Sequence, residues 1–516
     1  MKRTTKLLAL LLSLLMLAGL AACNTPAASP PNSQAPAATT PASTSTETPA
    51  ASNEPVTELY MPIMTFADAP ARMPAIMDAV NKITEEKINV KVDLDLINIG
   101  AYDQQITLMV ASGEKLDFAI SNMNISTLVS KNELLPLNDL LDQYGQGIKD
   151  ALGDYLTANT FNGNIYAIPS VRDFGQCVAV AMRKDLVDKY NIDVSSIKTL
   201  ADLTPILATI KANEPDIIPL VSTGNSVTFL NSADTSDKLG DGIGVLMDQG
   251  ATLNVVDRYE TDEYAAQLDL VRDWFNKGYI SKDVATTTDA GTSLIKAGKA
   301  FAYLGSYTPG GDVNNSKICG TEMVGAQLSD VYITGAPLQQ GLWTIPITCK
   351  TPDKAMQLLN LMYTDPDIAN LLSWGIEGED YAVQPDGTIN YPDGKTANDC
   401  YNLNMGWLMG DEFLSHVWQG NPPTLWDQMK AFNQQALTNK SKAFGFTFDE
   451  TPVKTEIVAI TNVINQYAKG LEFGVVDPKT TLPEFIQALK SAGIDKVIAE
   501  KQNQLNAWAA ANNVNG

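Results

Sequence analysis

The sequence predicts an α/β fold large enough for two or three domains. Three observations predict it. From Val56 to Ile120 five segments alternate between strand and helix character, the pattern of βαβ units and a mainly parallel sheet. Hydrophobic residues are 45% of the chain and charged residues 18%, the balance of a globular chain and not a disordered one. About 460 residues follow an N-terminal signal and linker, enough to bury large cores.

The first 22 residues read as an export signal. Lys2, Arg3 and Lys6 are followed by an uncharged apolar run, Leu7 to Leu20. That run is short of the roughly 20 residues of a membrane span and ends in small residues. Leu20-Ala21-Ala22-Cys23 resembles a bacterial lipobox, which implies lipidation of Cys23 as the mature N-terminus; the alternative is an ordinary cleaved signal that carries a cysteine. Residues 23–55 are then the lipidated cysteine and a tether. From Asn24 to Pro55, 26 of 32 residues are Pro, Ala, Ser or Thr and none is a large apolar residue. Such a segment cannot bury enough surface to offset the entropy of ordering it.

Val56 to Met64 has strand character, and Ala71 to Glu86 places Met73, Ile76, Met77, Val80 and Ile83 on one helical face. Ile88 to Ile97 alternates as a half-buried strand, Ala101 to Ser112 is helical with Gly113 past its end, and Leu116 to Ile120 is a short strand. Glu133 to Gly145 turns from apolar segment into helix. Asn162 to Ile168 opens on an Asn-Gly turn and continues as a strand to Pro169. Cys177 to Met182 is a strand and Arg183 to Tyr190 a helix. Thr199 to Asn213 is helical, with Thr199 as a first cap and Thr204 as the cap of the main helix before Pro205. Ile217 to Val221 is a strand, Tyr264 to Lys277 an amphipathic helix around Trp274, Thr292 to Lys299 a helix, and Ala300 to Leu304 a strand. Leu342 to Ile347 is a strand, followed by helices over Pro352 to Thr364, Pro366 to Trp374, Val453 to Leu471 and Leu482 to Ala510.

Composition removes several classes of function. Formal net charge is −23, and it becomes more negative once Lys2, Arg3 and Lys6 leave with the signal. That repels nucleic acid and anionic lipid surfaces. His416 is the one histidine, so a histidine-rich zinc site is impossible and a triad has one possible base. Cys177, Cys319, Cys349 and Cys400 show no C-x-x-C spacing; an exported chain permits disulfides, but burial as small apolar residues is expected. No G-x-S-x-G or H-E-x-x-H motif occurs, and S-x-x-K recurs at Ser112, Ser195 and Ser293 without its companion motifs. Neither metal nor cofactor is expected.

Several runs together resemble the extracellular solute-binding proteins of bacterial ABC importers, in the carbohydrate-binding family 1 group and similar to the LplA-type lipoproteins of Gram-positive bacteria. They are Ile106 to Ile120, Leu134 to Gly145, Asn162 to Pro169, Ala181 to Asp193, Gly298 to Tyr307 and, most specific, Thr364 to Val383. The resemblance implies a periplasmic-binding-protein-like type II fold, two α/β lobes with a hinge and a ligand cleft. It implies one lobe of 56–168 and 318–372 and another of 169–317 and 373–516. It further implies a monomer, anchored by lipid on the outer face of the cell membrane, that captures a sugar or oligosaccharide and hands it to permease subunits. The alternatives are a peptide-binding lipoprotein, a surface sensor or adhesin, or an exported glycoside hydrolase. Relatives carry a Gly-Asn-Gln motif where Asp411-Glu412 stands here, which departs from a neutral-sugar contact.

Ligands of open parallel sheets sit beyond the carboxyl ends of strands. That rule selects Phe66 after the first strand, Asn122 and Asn124 after Ile120, Arg172 and Asp173 after Ile168, and Tyr307 after Leu304. Planar polar groups suit sugar hydroxyls and aromatic faces suit the apolar side of a ring. Trp343 and Trp407 join the ligand-binding set, Trp407 foremost because it follows Gly406 in a polar, glycine-rich stretch. Arg172-Asp173 suits a ligand contact or a hinge ion pair equally. Glu377, Glu379 and Asp380 suit a solvated loop.

Overall fold

The computed structural model describes residues 54–121, 125–161, 163–224 and 227–514. The signal, Cys23 and most of the tether, together with Asn122, Asn124 and Asn162, lie outside the described residues. Among the described residues, nine strands outside two short hairpins organise the fold: β1 (Thr57–Thr65), β2 (Val90–Asn98), β3 (Ala119–Ser121), β4 (Ile168–Pro169), β5 (Val178–Arg183), β6 (Ile218–Val221), β7 (Ala300–Ser306), β8 (Met323–Gln327) and β9 (Leu342–Thr344).

β1 and β2 pair in parallel, from Thr57 opposite Val90 to Thr65 opposite Asn98. The helix Met73–Ile88 between them buries Met73, Ile76 and Val80, as the apolar spacing requires. Its end is fixed by Asn89 in the left-handed region. The first βαβ unit is therefore as expected. A mainly parallel arrangement is not. β9 lies antiparallel between β3 and β4, and β5 lies antiparallel between β8 and β7; the other parallel pair is β6 with β7. β9 joins β3 across 225 residues of chain. Local βα alternation carries no information about the direction of a strand inserted from so far away.

Two large apolar cores and two smaller clusters result among the described residues. The first joins Leu59 to Cys177 with Val331 to Leu372 and Tyr401 to Phe444; the second joins Val180 to Leu304 with Ala326 and Ala443 to Leu505. The chain passes between them near residues 177–180, 326–331 and 443–446. The cores depart from the expected division at three places, the first being Val171, Phe174 and Cys177, which belong to the first core. Tyr401 to Phe444 packs with the first core, tied there by the Trp343 indole and the Ser170 hydroxyl, which both donate to the Leu408 carbonyl at 2.7 and 2.8 Å. β8 belongs to the second sheet through its ladder with β5. Nothing local in either segment encodes the partner it packs on.

Smaller corrections have local causes. The expected helix Leu482 to Ala510 is two helices, Pro478–Ala492 and Ile494–Ala511. Gly493 separates them at φ +97°, a conformation that side chains rarely adopt. Thr199 forms a capping box with Asp202, as expected. Thr204 is not a cap: it lies in the helix Leu203–Asn213, and its hydroxyl accepts from the Trp274 indole at 2.9 Å. Cys177, Cys319, Cys349 and Cys400 are buried free thiols. Among the described residues no helix is long and apolar enough to cross a membrane.

Candidate functional site

The segment leading into β5 is the wall of an open cleft between the two cores. Asn433, on the helix Leu425–Thr438, shapes it: its side-chain carbonyl accepts from the amides of Phe174 and Gly175 at 2.8 and 3.0 Å, and its NH2 donates to the Arg172 carbonyl at 2.7 Å. A Cβ on Gly175 would stand 2.7 Å from the Phe432 ring, so only glycine allows this approach. On the other side, Val171 donates to Gly410 at 2.8 Å and Glu412 donates back to Val171 at 3.1 Å. These backbone bonds bring Arg172, Asp173, Trp407 and Glu412 together.

The Arg172 guanidinium lies over the Trp407 ring, 5.4 Å from its centroid. It also donates to the Pro337 carbonyl at 3.3 Å and stands 3.9 Å from the Asp173 carboxylate. Arg172 and Trp407 are half-buried. Trp426 stacks on Phe413 at 5.3 Å, and its indole donates to Ser415 at 2.7 Å. These groups line a hollow of about 1300 Å³, with Thr308 and Asn314 facing them from the second core's side. A neighbouring hollow of about 1210 Å³ shares Arg172, Asp173, Thr308 and Gln340, and extends to Asp234 and Lys238. Asp234 is paired with Arg258, which also reaches Glu472 at 3.0 Å.

The acidic groups are electrostatically strained. Burial pushes Glu412 up to about 7; Asp173 and Asp411 add to the rise and Arg172 opposes it. Burial raises Asp411 to about 6 against the hydrogen bond it accepts from the Phe413 amide. Burial also raises Asp173, with Arg172 opposing. An aromatic ring, a cation over it and Glu412, pushed up to about 7, make a surface that offers both donors and acceptors. No group of three or more metal-ligating side chains occurs among the described residues.

Of the residues selected from sequence, Arg172, Asp173 and Trp407 line the cleft. Tyr307 is half-buried against Phe432, ring centroids 6.3 Å apart, while its neighbours Ser306 and Thr308 line the cleft. Phe66 is 61% exposed at the end of β1 and lines neither hollow. Trp343 is a correction: it is 0% exposed, packs edge-on against Phe118, and offers no face to a ligand. Asp380 is also not in a solvated loop; its side chain is buried and holds the Ile376 and Tyr401 amides and Arg72. Sequence reasoning did not select Glu412, Gln340 or Trp426. For Glu412 a signal existed, the departure at Asp411-Glu412.

Two lobes with a polar, aromatic cleft at their crossing segments are accompanied by a sequence match: residues 78–375, more than half of the chain, fit the family described as bacterial extracellular solute-binding protein. The chain belongs to that family. A second pattern, a domain of unknown function (DUF3502), matches residues 442–510 of this solute-binding protein. A carbohydrate ABC transporter substrate-binding protein of Streptococcus pneumoniae serotype 4 (strain ATCC BAA-334 / TIGR4) is 27% identical over 466 residues, 89% of this chain and 92% of that one. The crystal structure of the N-glycan transport solute binding protein NgtS from Streptococcus pneumoniae superposes with a TM-score of 0.76 at 27% identity, covering 88% of this chain and 99% of that one. The NgtS structure in complex with Man5GlcNAc gives 0.63 at 27% identity, covering 89% and 99%. The fold is thus the periplasmic-binding-protein-like type II, as the resemblance implied.

Proposed function

We propose that this solute-binding protein captures an oligosaccharide in the cleft by hinge closure and delivers it to the permease of an ABC importer, without transforming it. The observation that carries this is the Arg172 guanidinium over Trp407 with Asp173 and Glu412 beside it, in a cleft between two separate cores. The Trp407 ring holds the guanidinium in place, and the charged groups take the hydroxyls of a sugar. The resemblance to NgtS, a protein of glycan transport, supports the ligand class.

The lobes we infer meet at residues 177–180, 326–331 and 443–446, where the chain changes core. Phe66, Asn122, Asn124 and Tyr307 stand after strand ends and are proposed as contacts completed on closure. Lipid on Cys23 would anchor the protein, as a monomer, at the outer face of the membrane. Calorimetric titration of residues 54–516 with Man1GlcNAc, with Man5GlcNAc and with a cationic peptide tests the reading. Glycan binding with no heat from the peptide is expected. Peptide binding without glycan binding would overturn it.

A further inference from the structure

A third hollow, of about 840 Å³ with its open mouth counted, lies beside the cleft. It meets the main cleft at Gln340, which lines all three hollows. One wall comes from the first core's side, with Phe161 half-buried on a short hairpin against Tyr166. The other wall is Leu239 and Gly240 together with Phe446, Phe448 and Glu450. Gln339 spans the two sides, its NH2 donating to the Phe446 carbonyl at 3.2 Å and the Thr447 hydroxyl at 3.1 Å.

The second wall is built on a lysine with no exposed surface. The Lys501 ammonium pairs with Asp241 and donates to the carbonyls of Ile243 and Gly244 at 2.6 and 3.2 Å. The same ammonium sits 4.8 Å from the centre of the Phe448 ring. One cation therefore joins the 239–244 loop to the 446–450 segment. The loop needs holding, because Leu239 is a non-glycine residue at φ +48°. Gln504, one turn further along the helix Ile494–Ala511, brackets Asp449, accepting from its amide at 2.9 Å and donating to its carbonyl at 3.0 Å. A buried ammonium is costly unless it is fully paired, so these partners fix one wall geometry.

We propose that the hollow between Phe161 and Phe448 is a distal subsite of the cleft, taking a neutral hydroxylated or acetamido-bearing ring of a ligand whose other end lies against Trp407, and that Lys501 is the positioning residue of its wall. This rests on the oligosaccharide reading. It also gives the segment of residues 442–510, described as a domain of unknown function, a defined role in setting the length of ligand that the cleft accepts. Apolar ring faces with amide groups between them suit a neutral sugar ring, and Glu450 on the wall opposes an acidic one.

The test is calorimetric titration of wild type and Phe161→Ala with Man1GlcNAc and Man5GlcNAc. The variant is expected to weaken the longer glycan about tenfold or more and the shorter less than about twofold. Equal effects on both, or none on either, overturn the subsite. A wild type that binds neither glycan overturns the oligosaccharide reading and this ligand with it. Lys501 is tested apart from any ligand, by amide hydrogen exchange of Lys501→Met. Faster exchange confined to 237–247 and 446–450, with 405–412 unchanged, is expected. Unchanged exchange in both segments removes Lys501 from the wall. If Lys501→Met does not fold, Gln504→Ala serves, with faster exchange expected at 446–450 and unchanged exchange there refuting the helix's hold on that segment.

Discussion

Glu412→Gln tests the electrostatics of the cleft. Burial, then Asp173, raise the Glu412 pKa from 4.5 to about 7 against the pull of Arg172. A carboxyl whose pKa is higher in the folded chain than in the unfolded one binds its proton more tightly when folded. Its contribution to stability is therefore full below pH 4.5, is lost as pH rises to about 7, and is level above that. At 1.36 kcal/mol per pH unit the interval amounts to about 3.4 kcal/mol. Glu412 is half-buried, so solvent screening reduces this to on the order of 1–2 kcal/mol. Glutamine keeps the shape and an acceptor oxygen and does not ionise. The assay is urea unfolding of wild type and variant at about pH 5 and about pH 8, since the slope against denaturant yields ΔG at each pH. The variant should gain about 1–2 kcal/mol more over wild type at the higher pH than at the lower. An equal difference at the two pH values would refute the raised pKa and with it the account of Glu412 as a desolvated cleft acid.

Trp407→Ala should weaken glycan binding by about 1–2 kcal/mol, roughly five- to thirtyfold in Kd by calorimetry, through loss of the ring under Arg172; an unchanged Kd removes it from the site. Trp343→Phe should cost about 1–3 kcal/mol in denaturant unfolding, because the indole bonds to Leu408 and Ser170 are lost in the core, and it should leave glycan affinity unchanged. A weakened Kd with unchanged stability would return Trp343 to the ligand set. Cys23→Ala should release the protein to the medium or leave it unprocessed; a variant still processed and labelled by palmitate would end the lipid-anchor reading. Wild type incubated with chromogenic glycosides should release no product, and sustained release would make it a hydrolase.

The elements whose cause is local were legible. Apolar spacing placed the helix Met73–Ile88, and Thr199 caps the turn Leu200–Asp202 that leads into the helix Leu203–Asn213. The elements that failed are those whose cause lies elsewhere in the chain. Thr204 has the composition of a cap, yet its hydroxyl serves the indole of Trp274, 70 residues on. Gly493 sits inside an amphipathic pattern that continues on both sides, so periodicity joined what a left-handed residue divides. The Tyr401 to Phe444 segment is apolar enough for either core, and hydrogen bonds to distant residues, those from Ser170 and Trp343 among them, decide which.

Trp343 and Trp407 show why the site was half legible. Trp407 directly follows Gly406 and Trp343 stands two residues after Gly341, both in short apolar runs, and composition does not separate them. Trp343 sits on β9, the middle strand between β3 and β4, where both sheet neighbours and Phe118 cover it. Trp407 sits in a single turn, Gly406–Leu408, beside the backbone bridge from Val171 to Gly410, so one face stays open to Arg172. The rule of strand ends found Arg172 and Asp173 because they stand within four residues of the end of β4. It could not find Glu412, which reaches the same place from 240 residues downstream of Arg172 through the bond its amide makes to Val171. Ligand clefts between lobes are assembled from such crossings. The residue types that suit a ligand are therefore readable along the chain, while their meeting is a property of the cores that bring the crossing segments together.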